Sequence, residues 1–346
     1  MTSPPTIFIA SDYLVEPPWM VEIKAEVARR GYTVIAGPPP RPPARTEFAA
    51  TDLERYFGRA DFILTTTKTG IPAAVLEHAP ALRAVLFPTA GTESVDLVAA
   101  NRLGIVVAHG PTPENFQSMA EASVMLMLVL MYQLHGSERQ LRDNLPRPQQ
   151  MRAGMLLGKT IGIVGLGRIG RAVVERLAGF GVRILAVDRP NRSGPPPAGV
   201  ELVSFETLLR QSDIVSLHAT LTPRNRHLMG AAQFALMKPE AFFMNTSRGG
   251  LVDEQAVCEA LRTRRIAGAA LDTFELEPLP EDSPLRALDN VILTPHIVGQ
   301  TREVMHSIPP ALFDNLDRIL RGELPRYCRN PEVAEAWRRR LAVLGT

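Results

Sequence analysis

The chain has 346 residues, with 38 basic and 36 acidic side chains and a formal net charge of +2. That length exceeds one hydrophobic core, so two domains with a cleft between them are expected. The near-balance of charge, with no run of five or six like charges, argues against a nucleic-acid or membrane-surface partner. Cys258 and Cys328 form no CxxC pair, so neither a disulfide framework nor a metal site is expected, and a reducing cytoplasm fits.

The first apolar run, Thr6 to Ala10, is too short for a signal-peptide core and is soon followed by Asp12 and Glu16. It reads as the first strand of an alternating series, continued by Tyr32 to Ile35, Phe62 to Thr65, Arg83 to Phe87 and Ile105 to Val107, with helices between. The prolines from Pro38 to Pro43 mark a loop. From Glu114 the pattern predicts one long helix, apolar at Met119, Val124, Leu128 and Met131, ending before Pro146. Its most apolar part, Ala122 to Tyr132, falls short of the ~18 residues of a membrane span. A second series follows, with strands at Thr160 to Val164, Arg183 to Val187, Asp213 to Leu217, Ala241 to Met244, Ile266 to Leu271 and Val291 to Leu293. Six strands complete a nucleotide-binding sheet, so the predicted class is α/β, with two Rossmann-like, doubly wound parallel sheets. A last helix, roughly Thr301 to Arg321, leads away from that sheet, and the tail is expected to rejoin the first domain.

One strand-to-helix junction has the spacing of a phosphate loop. The run Ile161-Gly-Ile-Val-Gly165-Leu-Gly167-Arg-Ile-Gly170 leads from an apolar strand into a helical stretch. Gly165 permits a tight turn, Gly167 lets backbone approach a pyrophosphate, and Gly170 lets helix and strand pack closely. The backbone of Arg168 and Ile169 then faces the phosphates at a helix N-terminus. Alone, GxGxxG also marks ordinary turns. Asp188 adds weight, because it ends the next apolar strand, 18 residues past Gly170, where an acid binds ribose hydroxyls. Its charge repels a 2′-phosphate, so NAD is favoured over NADP, although Arg189 and Arg192 nearby blunt that preference.

Three further segments put polar groups just beyond strands of this second sheet: Asn245-Thr-Ser-Arg248-Gly-Gly, Asp272-Thr-Phe-Glu-Leu-Glu277-Pro and Thr294-Pro-His296. Reducing a 2-oxo acid needs a cation for its carboxylate and carbonyl, a proton donor for the developing alkoxide, and a group keeping that donor protonated. Arginine, histidine and a carboxylate supply these in turn. Each residue singly also fits a surface or structural role, but three such coincidences after strands of one cofactor sheet make the catalytic reading the better one. Spacing leaves Glu275 and Glu277 both open as the histidine's partner. Asp272 fits either a nicotinamide contact or a cap on the following loop.

These segments, with Asp213-Ile-Val-Ser-Leu-His218-Ala-Thr-Leu-Thr-Pro223, resemble the D-isomer-specific 2-hydroxyacid dehydrogenases; Ala90-Gly-Thr-Glu-Ser-Val-Asp96-Leu-Val-Ala-Ala100 and Ser118-Met-Ala-Glu121 are weaker echoes. The resemblance implies an NAD-dependent oxidoreductase acting on a small D-2-hydroxy or 2-oxo acid, with Arg248, Glu277 and His296 as the catalytic set, and so favours Glu277 over Glu275. It implies cofactor contacts at Gly165, Gly167, Arg168, Ile169, Gly170, Asp188, Thr220, Thr246, Ser247, Arg248, Asp272, His296 and Gly299, and substrate contacts at Arg248 and around Ala90 and Gly91. Lys68, beside Thr66 and Thr67, is a candidate for the substrate mouth, with a solvated loop lysine as its plainer reading. The implied domains are residues 1–110 with 299–346 for substrate and 111–298 for the cofactor, in a homodimer joined through the cofactor domains and the long helix.

Departures from the family pattern are visible. Pro111-Thr-Pro-Glu-Asn115 replaces the usual Pro-Gly-x-Asn loop, His109 beside it reads as structural, and Val298 stands where Gly or Ala is usual. The 50 residues after His296 leave no room for a serine-binding regulatory domain. A formate enzyme carries glutamine at position 277, which excludes that activity, whereas a phosphite-type dehydrogenase and an NAD(H)-sensing co-repressor on the same fold remain as alternatives.

Overall fold

The computed structural model describes residues 4–42, 44–147, 153–189 and 194–345. The chain forms two compact units, residues 1–114 with 301–346 and residues 115–300.

The first unit is a parallel sheet of β1 (Thr6–Ile9), β2 (Thr33–Ala36), β3 (Phe62–Leu64), β4 (Ala84–Leu86) and β5 (Val106–Ala108), in the order β2-β1-β3-β4-β5. Its connections carry α1 (Pro18–Arg29), α2 (Leu53–Phe57), α3 (Ala73–Glu77) and α4 (Leu97–Leu103). Side chains alternate between two cores, as the pleat requires. Ile7, Ile9, Phe62, Leu64, Leu86 and Val106 face one core; Phe8, Ile63, Val85 and Val107 face the other. Burial on both faces explains why these strands read as continuous apolar runs.

The second unit opens with α5 (Pro113–Tyr132) and α6 (Leu134–Arg142), where the sequence pattern predicts one helix. Gln133 breaks it in a left-handed conformation (φ 50°), and the two axes bend by 58°. No single helix among the described residues is long and apolar enough to cross a membrane. The sheet contains β6 (Thr160–Val164), β7 (Arg183–Val187), β8 (Val200–Leu202), β9 (Ile214–Leu217), β10 (Phe242–Asn245), β11 (Gly268–Leu271) and β12 (Val291–Leu293). Between them run α7 (Arg168–Leu177), α8 (Phe205–Gln211), α9 (Ala231–Leu236) and α10 (Glu254–Arg262). The strands are parallel in the order β12-β11-β10-β9-β6-β7-β8, one more than the six predicted. The extra strand, β8, lies at the edge and is mostly exposed, so Val200-Glu-Leu202 lacks the apolar run that marks the others.

Two helices after residue 300, α11 (Arg302–Leu320) and α12 (Ala334–Leu344), pack on the first sheet. Trp337 is fully buried there and donates its indole N–H to the Arg83 carbonyl at 3.0 Å.

Candidate active site

Strand order in the second unit reverses between β6 and β9, and ligands of open α/β sheets bind outside the carboxyl ends of strands at such a switch point. Gly165 leaves β6 with φ +103°, and a Cβ there would stand 2.7 Å from the His218 carbonyl oxygen. A Cβ on Gly170 would stand 2.1 Å from the Gly165 oxygen, which is how closely α7 packs against the end of β6. Gly167 is the N-cap of α7; no side chain caps it, and the space beside it is open. A helix N-terminus that opens on a glycine beside open space suits a pyrophosphate. Asp188 follows β7, and its Oδ1 accepts the Arg189 N–H at 2.9 Å and, more weakly, the Leu166 N–H at 3.4 Å. That ties the acid to the glycine loop. Arg192 lies outside the described residues.

After β10, the Thr246 hydroxyl is buried with no hydrogen-bond partner among the described residues, and the Thr273 hydroxyl after β11 is in the same position. Burying a hydroxyl unpaired costs roughly 1–3 kcal/mol, so each calls for a partner from solvent or from a bound ligand. An open glycine loop, an acid at the next strand end and an orphaned hydroxyl together fit a dinucleotide. Ser247 donates through Oγ to the Leu217 carbonyl at 2.7 Å, which stitches the ends of β9 and β10. Thr220 is exposed after β9, and its carbonyl accepts Asn225 Nδ2 at 2.9 Å.

Arg248 is half-buried; its Nη1 donates to the Ser247 carbonyl at 2.7 Å, and its own carbonyl accepts Asn245 Nδ2 at 2.9 Å. His296 Nδ1 lies 2.8 Å from Glu277 Oε2. Glu277 Oε1 accepts the Phe274 N–H at 3.0 Å. Burial alone would push the Glu277 carboxyl up. The bonded His296 ring, the Phe274 N–H and the charge of Arg248 outweigh that and hold it below the ordinary carboxylate value. Glu275, the alternative partner, turns away to Arg226 at 3.0 Å and to His227.

His296 itself has φ 57°, a left-handed conformation that costs a residue with a Cβ about 1–2 kcal/mol. Asp272 supplies the compensation. Its Oδ1 accepts the Thr294 hydroxyl at 2.6 Å and the N–H groups of Ile297 at 3.1 Å and Val298 at 3.3 Å. Gln300 Nε2 adds a bond to the His296 carbonyl at 2.7 Å. Asp272 therefore caps the loop that presents His296, and burial pushes its carboxyl above the usual value against these donors.

Residues 124–298, half of the chain, match the family described as D-isomer specific 2-hydroxyacid dehydrogenase, NAD binding domain. A glyoxylate reductase of Korarchaeum cryptofilum is 38% identical over 280 residues, covering 80% of this chain and 84% of that protein. A D-3-phosphoglycerate dehydrogenase of Methanocaldococcus jannaschii is 38% identical over 267 residues, 77% of this chain but only 51% of that longer relative. Among solved structures, the NAD-dependent formate dehydrogenase of Staphylococcus aureus in complex with NAD aligns with a TM-score of 0.77 at 29% identity, covering 92% of this chain and 96% of that one. The chain belongs to the D-isomer-specific 2-hydroxyacid dehydrogenase family. It is an oxidoreductase with the family's NAD-binding domain.

Other residues that the family resemblance singles out have local roles. Gly299 is buried, a Cβ on it would press into the Met119 side chain, and its carbonyl accepts the Ser118 hydroxyl at 2.8 Å. In the first unit, Lys68 follows β3 with its ammonium 4.1 Å from the centre of the Tyr13 ring. Its loop is anchored by buried Asp12, which accepts the Thr66 N–H at 2.7 Å and the Thr69 hydroxyl at 2.5 Å. Ala90 and Gly91 follow β4, and His109, after β5, contacts the Ala90 carbonyl through Nδ1 at 2.9 Å. Loops after β1, β3, β4 and β5 share the carboxyl edge of this sheet, as parallel strands require. Sequence reasoning gave no role to Gly249 and Glu254, which follow Arg248 closely and touch the Glu277 loop; the hints were the Gly-Gly pair after Arg248 and an acidic pair, Asp253-Glu254, at a helix start.

Proposed function

We propose that this dehydrogenase interconverts a small D-2-hydroxy acid and its 2-oxo acid, using NAD in preference to NADP, with Arg248, Glu277 and His296 as its catalytic residues. The observation that carries the reading is the 2.8 Å contact between His296 Nδ1 and Glu277 Oε2 at the sheet edge that also bears Arg248. With Nδ1 directed at the carboxylate, Nε2 is the ring atom that exchanges a proton with substrate.

In reduction, the Arg248 guanidinium holds the substrate carboxylate and polarises the ketone; backbone N–H groups at Ala90 and Gly91, with Lys68, assist at the carboxylate. The His296 Nε2–H donates its proton to the carbonyl oxygen as negative charge develops there. Glu277 holds the ring's orientation and offsets the positive charge it carries as a proton donor. Bound nicotinamide supplies the hydride in this direction and receives it in the other. In oxidation, the neutral His296 ring takes the hydroxyl proton. Cofactor contacts are assigned to Gly165, Gly167, Arg168, Ile169, Gly170, Asp188, Thr220, Thr246 and Ser247. Asp188 favours NAD because its carboxylate accepts from a free ribose hydroxyl and repels a phosphate. A cytoplasmic homodimer, with residues 1–110 and 299–346 contributing the substrate side, completes the proposal.

Purified protein supplied with NADH or NADPH and a panel of glyoxylate, hydroxypyruvate and larger 2-oxo acids is expected to turn over at least one acid, faster with NADH. Absence of turnover with every acid, and in reverse with D-2-hydroxy acids, rejects the reading.

A further inference from the structure

The segment that carries Glu277, residues 273–278, has no helix or strand, so contacts from outside must fix where Glu277 stands. Three such contacts exist, two from the segment after Arg248 and one from Arg226 and His227. Gly249 lies backbone to backbone against the loop: a Cβ there would stand 1.9 Å from the Phe274 carbonyl carbon and 2.4 Å from the Glu275 nitrogen. Glu254, the first residue of α10, accepts the Glu275 N–H through Oε1. The Glu275 carboxylate is bound by Arg226 at 3.0 Å and by His227. Two consecutive amides thus go to two carboxylates: that of Phe274 to Glu277, and that of Glu275 to Glu254.

Glu254 is not needed as a helix cap, because Asp253 already accepts the Ala256 N–H at 3.1 Å. It is half-buried, and burial pushes its carboxyl up; the Glu275 N–H opposes this, while the charges of Glu275 and Glu277 add to it. Leaving a third carboxylate beside these two is unfavourable unless its hydrogen bond is worth keeping. The charged groups in this neighbourhood are Asp253 on the same segment, Glu275 and Glu277 on the loop, Arg226 and His227 against Glu275, and Arg248 and His296 against Glu277.

We propose that Glu254 is a positioning residue for the reaction: by holding the Glu275 amide, with the loop seated on Gly249, it fixes Glu277 on Nδ1 of His296. The proposal rests on Glu277 and His296 being the acid/base pair, and the test keeps the two apart. Steady-state kinetics of 2-oxo acid reduction are measured against pH for the wild type, Glu254→Ala, Glu254→Gln and Glu277→Gln, with NADH affinity by fluorescence titration. Glu254→Ala is expected to lower kcat about tenfold, because small displacements of a catalytic group are costly. KM for the acid and NADH affinity stay within about twofold of wild type, since neither depends mainly on Glu277 placement. The alkaline limb of its pH profile moves to lower pH, as in Glu277→Gln. Glu254→Gln retains an acceptor oxygen and is expected to restore at least about half of kcat. Wild-type kcat and pH profile in Glu254→Ala overturn the proposal, as does equal damage in Glu254→Gln, which would assign the effect to charge. Should Glu254→Ala fail to fold, Glu254→Asp, shorter by one methylene, is expected to show the same kinetic loss, and wild-type kinetics there overturn the proposal as well. If Glu277→Gln itself behaves as wild type, the acid/base reading fails; if only Glu254→Ala does, the positioning role alone fails.

Discussion

Replacing Glu277 by glutamine keeps the shape of the pair with His296 and removes its charge. The two groups are 2.8 Å apart, with side-chain exposures of 43% for His296 and 37% for Glu277. At that separation Coulomb's law gives about 1.5 kcal/mol with the dielectric constant of water, and more in a drier setting. With both groups this exposed, the water limit is the appropriate one, and about 1.4 kcal/mol corresponds to about one pH unit. Because Glu277 is held below its ordinary carboxylate value, it is ionised throughout the neutral range, and its full charge favours the protonated ring. In the proposed mechanism reduction uses the protonated ring, so the rate of reduction falls on the alkaline side of its pH profile. Taking away the carboxylate makes deprotonation easier, so the alkaline limb for reduction moves down by roughly one pH unit. The acid limb for oxidation moves the same way. Initial rates at saturating NADH from pH 5 to 10, in buffers of constant ionic strength, measure the shift. A limb that stays in place or moves up refutes the assigned pairing.

Arg248→Lys keeps a charge but loses the forked donor pair, so kcat/KM for the 2-oxo acid should fall by about 10²–10³ with NADH affinity retained; a loss below fivefold shows that a point charge suffices. Asp188→Ala should raise the NADPH-to-NADH ratio of kcat/KM at least about tenfold, and an unchanged ratio removes Asp188 from the ribose site. Gly170→Ala places a Cβ 2.1 Å from the Gly165 oxygen and must push α7 off β6; overpacking of this kind costs about 1–3 kcal/mol, visible as a lower Tm and weaker NADH binding. Trp337→Ala empties a fully buried site and strands the Arg83 carbonyl, a loss of about 3–5 kcal/mol; a thermal melt within about 2 °C of wild type contradicts the packing described.

Much of this molecule is legible from local pattern alone. Strands buried on both faces must be apolar throughout, so β6 and β7 are bounded correctly by their runs, and the glycine loop and Asp188 follow from what a tight turn and a strand end require. Edge strand β8 escapes the same reasoning because it buries little, and the break at Gln133 escapes because the apolar period runs up to it unchanged. Strand-end placement brings Arg248, Glu277 and His296 into question together, but two glutamates two residues apart are indistinguishable by spacing. The family resemblance favours Glu277, and the folded loop gives the physical reason, sending Glu275 to Arg226 and His227 and Glu277 to His296. Asp272 is a similar case: a strand-end acid fits a ligand contact or a cap, and three donors from residues 294–298 make it the brace of the strained His296 backbone. Glu254 and Gly249 are further still from local pattern, since their effect lies in where another loop's amides come to rest. Periodicity and motif spacing record what a segment needs from its own backbone; which side chain meets which is set by long-range packing, and that is written in no single stretch of sequence.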